Sequence, residues 1–189
     1  MLPMSVPKRA WTDEKYVALL RGINVGGKNR VPMKVLTEIF LDCGCADVVT
    51  YIQSGNVIFR GPKAGQERLA TRVQAEIAAR VGHRIPVILR SAAEMRETVR
   101  ANPFLDREDG RLHVYFLERN PTEAAIRSLD PERSPGDSFR LTGREIYLLL
   151  PNGMGRTKLT NAYFDSKLGT TSTARNWATT LRLLEMVSG

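Results

Sequence analysis

Cysteine and histidine are scarce in this sequence. Cys43 and Cys45 flank Gly44, and the only histidines are His83 and His113. So few ligands do not make an ordinary zinc site, and neither a metal nor another cofactor is expected. The Cys-Gly-Cys reads as a helix end turning on its glycine, with reduced thiols against the core, rather than as a redox pair. No apolar run approaches the roughly 20 residues that a membrane-crossing helix needs. Met1–Trp11 carries Pro and Lys-Arg where a secretory signal is apolar. The expectation is a cytoplasmic protein with a loose lead over residues 1–13 and no membrane partner.

At 189 residues and 42% hydrophobic, the chain can bury one substantial core or two small ones that pack together. Lys and Arg outnumber Asp and Glu by 28 to 20, a formal charge of +8. That excess favours anionic partners through long-range attraction. The arginines are scattered rather than blocked, so the charge indicates a partner's sign and not its identity, and simple solubility charge explains it equally well.

Periodicity gives the architecture. Tyr16–Leu20 is a short apolar run ended by Arg21-Gly22, as a buried strand would be. Pro32 opens a helix carrying Met33, Leu36, Ile39, Phe40 and Cys43, stopped by Gly44. Val48–Gln53 and Val57–Arg60 are strands across a turn at Ser54-Gly55-Asn56. Leu69, Val73, Ile77 and Val81 mark a second helix that leads into a strand at Pro86–Leu89. This β-α-β-β-α-β order is the ferredoxin-like split βαβ unit. Its crossovers bring the loop after the first strand, the 53–56 turn and the 82–85 lead-in to one sheet edge.

A capping box at Ser91-Ala-Ala-Glu94 starts another helix. A strand at His113–Leu117, a helix from Asn120 and a hairpin of Phe139–Leu141 with Ile146–Leu150 repeat the β-α-β-β order. Two closing helices are expected, one after Thr157 and one after Ser172. The fold class is therefore α+β: a ferredoxin-like subdomain over residues 14–91, then a second βαββ-type subdomain with two C-terminal helices over 92–189, packed together. The halves echo each other in topology without a visible repeat in sequence.

The most informative stretch is Arg21-Gly-Ile-Asn-Val-Gly-Gly-Lys-Asn-Arg30. Gly22, Gly26 and Gly27 let backbone N–H groups turn inward, while Arg21, Lys28 and Arg30 add positive charge. Gly22–Lys28 satisfies GxxxxGK, but Asn29 stands where a nucleotide-binding P-loop needs Ser or Thr for magnesium, and Pro32 starts the helix several residues late. Val31 before Pro32 cannot cap the helix, whose first N–H groups are left to an anion, to a folded-back Asn24 or Asn29, or to water. Gln53, Ser54 and Asn56 border the same edge, with His83 and Arg84 nearby. Ser54 lacks the GxSxG setting of a hydrolase nucleophile, and no carboxylate pair appears on this edge, so no catalytic residue emerges.

The segments YVALLRGINVGGKNRVPM, TYIQSGNVIF, KLTNAYFDSKLG and TARNW resemble the bacterial domain of unknown function family numbered 1697, over about Tyr16 to Leu184. The resemblance implies an α+β fold with a ferredoxin-like part and brings no activity with it. It places weight on Arg21, Gly22, Asn24, Gly26, Gly27, Lys28 and Gln53–Asn56, and on Lys158, Arg175, Asn176 and Trp177. Ala174 stands where similar sequences carry a second Thr before the Arg. For Trp177 a core anchor is the plainer reading, with Thr173 and Asn176 bonding near a helix start. Arg175 is an anion-binding candidate for the same edge.

Three roles remain open at this level. One is binding of a small phosphorylated or carboxylated ligand, with or without chemistry, at the 22–30 loop. Another is a nucleic-acid module, although Asn56–Arg60 lacks an aromatic-rich pattern and is apolar on both faces. The third is a structural or protein-interaction role.

Overall fold

The computed structural model describes residues 14–27, 29–61, 65–107 and 111–189. Strand β1 (Lys15–Leu20) is buried at every position from Tyr16 onward because both its faces are apolar. Tyr16, Ala18 and Leu20 share one core with Leu36, Ile39 and Phe40 of α1 (Met33–Asp42) and Leu69, Val73 and Ile77 of α2 (Gln66–Val81). Val17 and Leu19 point into a second core. Strands β2 (Ala46–Tyr51), β3 (Asn56–Arg60) and β4 (Val87–Ser91) complete an antiparallel sheet of order β2-β3-β1-β4. The Ser91–Glu94 capping box then opens α3 (Ala92–Arg100) as its sequence requires.

The second half runs β5 (Leu112–Leu117), α4 (Glu123–Arg127), β6 (Ser138–Thr142), β7 (Glu145–Leu149), α5 (Asn161–Leu168), β8 (Ser172–Asn176) and α6 (Trp177–Ser188). Its sheet order is β6-β7-β5-β8. Both halves therefore follow one β-α-β-β-α-β plan with a trailing helix. Three expectations need correction. Residues from Ser172 do not begin a helix: Ser172–Asn176 is an edge strand paired along β5, and α6 starts at Trp177 with Asn176 capping Thr179 N–H. The helix expected after Thr157 starts at Asn161 under a Thr160 cap, while the Thr157 hydroxyl accepts from Leu159 N–H in a local turn. The cap of α4 is Thr122, not Asn120.

Helices α3 and α6 pack on each other between the two sheets, and α6 touches β1, β3, β5 and β8. Val17, Leu19 and Ile58 from one sheet meet Val114, Phe116 and Tyr147 from the other around Met95, Trp177 and Leu183. Each such fully buried side chain is worth about 1.5–3 kcal/mol. Trp177 is thus the core anchor its motif suggested, and the inner face of the first sheet is covered. Among the described residues no helix is long and apolar enough to cross a membrane.

Backbone hydrogen bonds fix how the halves correspond. Leu20 N–H donates to the Gly55 carbonyl as Leu117 N–H donates to that of Arg144, each at 2.8 Å. Arg21 N–H donates to Pro86 as Glu118 N–H donates to Thr171, at 3.0 and 2.9 Å. Counting from these anchors, Arg90 corresponds to Arg175, Asn56 to Glu145 and Tyr16 to His113.

Candidate functional site

The first-half edge assembles as the connectivity requires. The loop after β1, the turn Ile52–Gly55 and the lead-in to β4 meet there through the Leu20–Gly55 and Arg21–Pro86 bonds. Asn24, in the left-handed region at φ 55°, ties the loop together. Its Nδ2 donates to the carbonyls of Val31 (3.1 Å) and Gln53 (2.9 Å), and its Oδ1 accepts from Val31 N–H (2.9 Å). Asn29 Nδ2 donates to the Gly22 carbonyl at 3.1 Å. The two asparagines therefore brace the loop and satisfy Val31, one residue short of Pro32, rather than the first turn of α1.

That first turn stays open. Pro32 caps α1 without a side-chain acceptor, and no acidic residue lies in the turn. Helices α3, α4, α5 and α6 are capped by Ser91, Thr122, Thr160 and Asn176. Helix α2 also starts without a side-chain cap, at Gly65, but has Glu67 in its first turn to meet the positive helix end. In front of α1 lies an open cleft of about 550 Å³ whose lining, among the described residues, includes Asn24, Gly27, Arg30, Met33 and Gln53 and no carboxylate. Arg30 is exposed, and Val25 and Ile52 expose 64% and 51% of their surface beside the edge. Ile52 has φ 47°, a conformation that β-branched residues avoid. Gly55 closes the turn at φ 82°; a Cβ there would lie 2.7 Å from Leu20 Cβ and 3.0 Å from Ile23 Cγ1.

Two of the arginines singled out in the sequence are otherwise engaged. Arg21 is ion-paired with Asp165 of α5, which also accepts from the Ser172 hydroxyl. Arg175 does reach this edge, but as a buried clasp. Its Nε donates to Asn56 Oδ1 (2.5 Å), its Nη1 to Thr173 Oγ1 and the Ala174 carbonyl (3.0 and 2.6 Å), and its Nη2 to the carbonyls of Leu20 and Gly55 (2.9 and 3.1 Å). Among the described residues no carboxylate faces it, and burial pulls its pKa down to about 10. The counterpart Arg90 was not anticipated. It donates to the carbonyls of Leu89, Leu117 and Arg144, but its Nε is ion-paired with Glu145 at 2.8 Å.

Of the remaining residues, Ser54 Oγ accepts from Asn56 Nδ2 at 3.0 Å, and Asn56 is fully buried. His83 and Arg84 are exposed at the lead-in to β4. Lys28 lies outside the described residues. Lys158 is exposed, and its N–H donates to Ser134 Oγ in the second half. Cys43 and Cys45 are buried free thiols, and burial pushes Cys45 up to about 12, a state unsuited to nucleophilic work. A larger cleft of about 620 Å³ runs along β4 and α2. It carries Glu67, Glu94 and Glu118 against Arg119 and Arg144, with Glu94 and Arg144 already paired, so it selects neither sign of charge.

The family model described as "Protein of unknown function (DUF1697)" matches residues 14–147. The chain belongs to this family. The matched segment holds the whole first-half edge but stops before β8, so Arg175 lies beyond it. Among solved structures, the chain is similar to the conserved bacterial protein SP0830 from Streptococcus pneumoniae. The identity is 23% and the TM-score 0.68, over 92% of this chain and 98% of that one. At that identity the likeness speaks for the fold of the DUF1697 chain and for nothing finer. No curated protein matches it.

Proposed function

We propose that this chain binds a small phosphorylated or carboxylated ligand at the mouth of α1. The observation that carries the reading is the uncapped first turn of α1, free of acidic residues, at the base of a cleft without a carboxylate among the described residues. Backbone N–H groups at a positive helix end favour an anion. Arg30 and the protein's +8 charge add long-range attraction. On this reading Asn24, Gln53 and the glycines Gly22, Gly26 and Gly27 shape the cleft, Ser54 and Asn56 hold the turn that borders it, and Lys28 joins from sequence alone.

A thermal-shift and NMR titration with pyrophosphate, nucleotides, sugar phosphates and citrate tests this. A ligand at about 100 times its Kd stabilises the fold by about 2.7 kcal/mol. The shift should fall sharply in Arg30→Glu, with amide perturbations centred on Met33–Val35. If no anion moves these amides, or Arg30→Glu leaves the shift intact, the reading fails. Base stacking on the first sheet is not favoured, because α6 covers β1 and β3 on one side and α1 and α2 share a core with them on the other.

A further inference from the structure

Strand β4 ends the first sheet, with β1 on one side and no strand on the other. Its ladder fixes which backbone groups face the free side. Arg21 N–H donates to the Pro86 carbonyl just beyond the Leu20–Val87 pair. An antiparallel ladder alternates, so Ile88 and Arg90 bond to β1, while Val87, Leu89 and Ser91 turn their N–H and C=O groups outward. Two side-chain bonds agree with this. Arg90 Nη1 donates to the Leu89 carbonyl at 2.9 Å, and Ser91 N–H donates to Glu94 Oε2 at 2.7 Å. Left over are the N–H and C=O of Val87 and the N–H of Leu89, which have no partner among the described residues. Val87 is only 2% exposed, and backbone groups so buried are nearly always hydrogen-bonded.

These groups face the cleft of about 620 Å³, whose lining takes in β4 from Val87 to Ser91. Helix α2 forms one wall with Ala70, Thr71 and Gln74, and the second half forms the other with Glu118 and Arg119. The edge strand of a second copy would bring its own sheet and helices between these walls, whereas a single extended chain brings only itself. Charge narrows the guest further. Glu94 is paired with Arg144, and Arg90 with Glu145, but Glu67 and Glu118 are exposed and form no ion pair among the described residues. On a protein of +8 this cleft therefore offers free carboxylates to a cation.

We infer that β4 is a docking strand for an extended segment of another protein that carries a basic side chain. The segment adds to the sheet beside β4, completes the bonds of Val87 and Leu89, and sets its cation against Glu67 and Glu118. This inference does not rest on the α1 cleft.

Hydrogen exchange of the free protein reads the edge. The amides of Val87 and Leu89 should exchange roughly tenfold or more faster than those of Ile88 and Arg90, at every protein concentration. Equal protection, or protection that grows with concentration, means that this chain or a second copy already fills the edge, and it overturns the proposal. Random peptides of about twelve residues, longer than a typical strand, are then selected on the 189-residue chain as probes. The selected peptides should slow exchange at Val87 and Leu89. They should bind roughly tenfold more weakly to Thr71→Trp, which fills the cleft, and to Glu118→Lys, which reverses its charge. Both positions are exposed, so the fold tolerates the changes. N-methylation along a peptide should weaken binding at every second residue, the period of a paired strand. The proposal falls if no peptide is selected, if binding survives either substitution, or if N-methyl sensitivity lacks the two-residue period.

Discussion

The two halves share a plan but finish their corresponding edges differently. In the second half the segment after β5 is short, α4 is capped by Thr122 with Glu123 in its first turn, and the buried arginine under the turn is matched by Glu145. In the first half the segment after β1 is long and glycine-rich, α1 is uncapped, and the Nε of the buried arginine meets an amide where its counterpart meets a carboxylate. One edge has a capped helix and a paired buried charge, while the other has an uncapped helix and a buried arginine without a carboxylate partner among the described residues. A shared plan supplies the scaffold in each case, so the departures from it are the place to look for function.

The arginines give the largest way to break this comparison. Arg90→Met strands the part-buried Glu145 and bares the carbonyls of Leu117 and Arg144. It should cost about 3–5 kcal/mol by denaturant unfolding. Arg175→Met also bares carbonyls but removes an unpaired buried charge, so it should cost measurably less. Equal losses would mean that the missing carboxylate carries no energetic weight.

The turns give a middle-sized test. Gly55→Ala puts a Cβ against Leu20 and Ile23 at a left-handed φ and should cost about 2–3 kcal/mol. At Gly143, φ 58°, an added Cβ would meet Glu145 Oε2 at 3.9 Å, an ordinary contact, so Gly143→Ala carries the conformational penalty alone, about 1 kcal/mol. A reversed order of melting temperatures would show that the first-half turn gives way to a methyl.

The smallest effect separates Tyr16 from its counterpart His113. Burial holds the His113 imidazole below its ordinary value, outweighing a backbone hydrogen bond to Arg111 that acts the other way. The unfolded imidazole takes up its proton near pH 6.5 and the native one only at lower pH, so this stability is complete above about 6.5 and declines as pH falls. Burial, with help from Glu14, pushes Tyr16 up to about 12, so it contributes nothing in this range. His113→Leu should flatten the loss of melting temperature between about pH 7 and 5. An unaltered slope would place that loss in other groups.

Much of this was legible in the sequence. The apolar runs, Pro32, Gly44 and the Ser91–Glu94 box fix the first half because each is a local signal. The open start of α1 was legible too, since Val31 and Pro32 offer no acceptor. Strand β8 was not, because Ser-Thr-Ala-Arg-Asn has no apolar alternation and becomes a strand only by pairing with β5. Arg90 and Arg175 were illegible as a pair, because their partners are carbonyls of the opposite half, which no local pattern encodes.

Each half extends an arginine into the other in the same way, which is the geometry of a self-complementary contact between two copies of one module. In a true pair of identical subunits, whatever stands at one turn must stand at the other. Covalent linkage lifts that constraint. Because both modules lie in a single chain, position 145 can hold an acid while position 56 holds an amide, and two halves of one strand order acquire distinguishable edges.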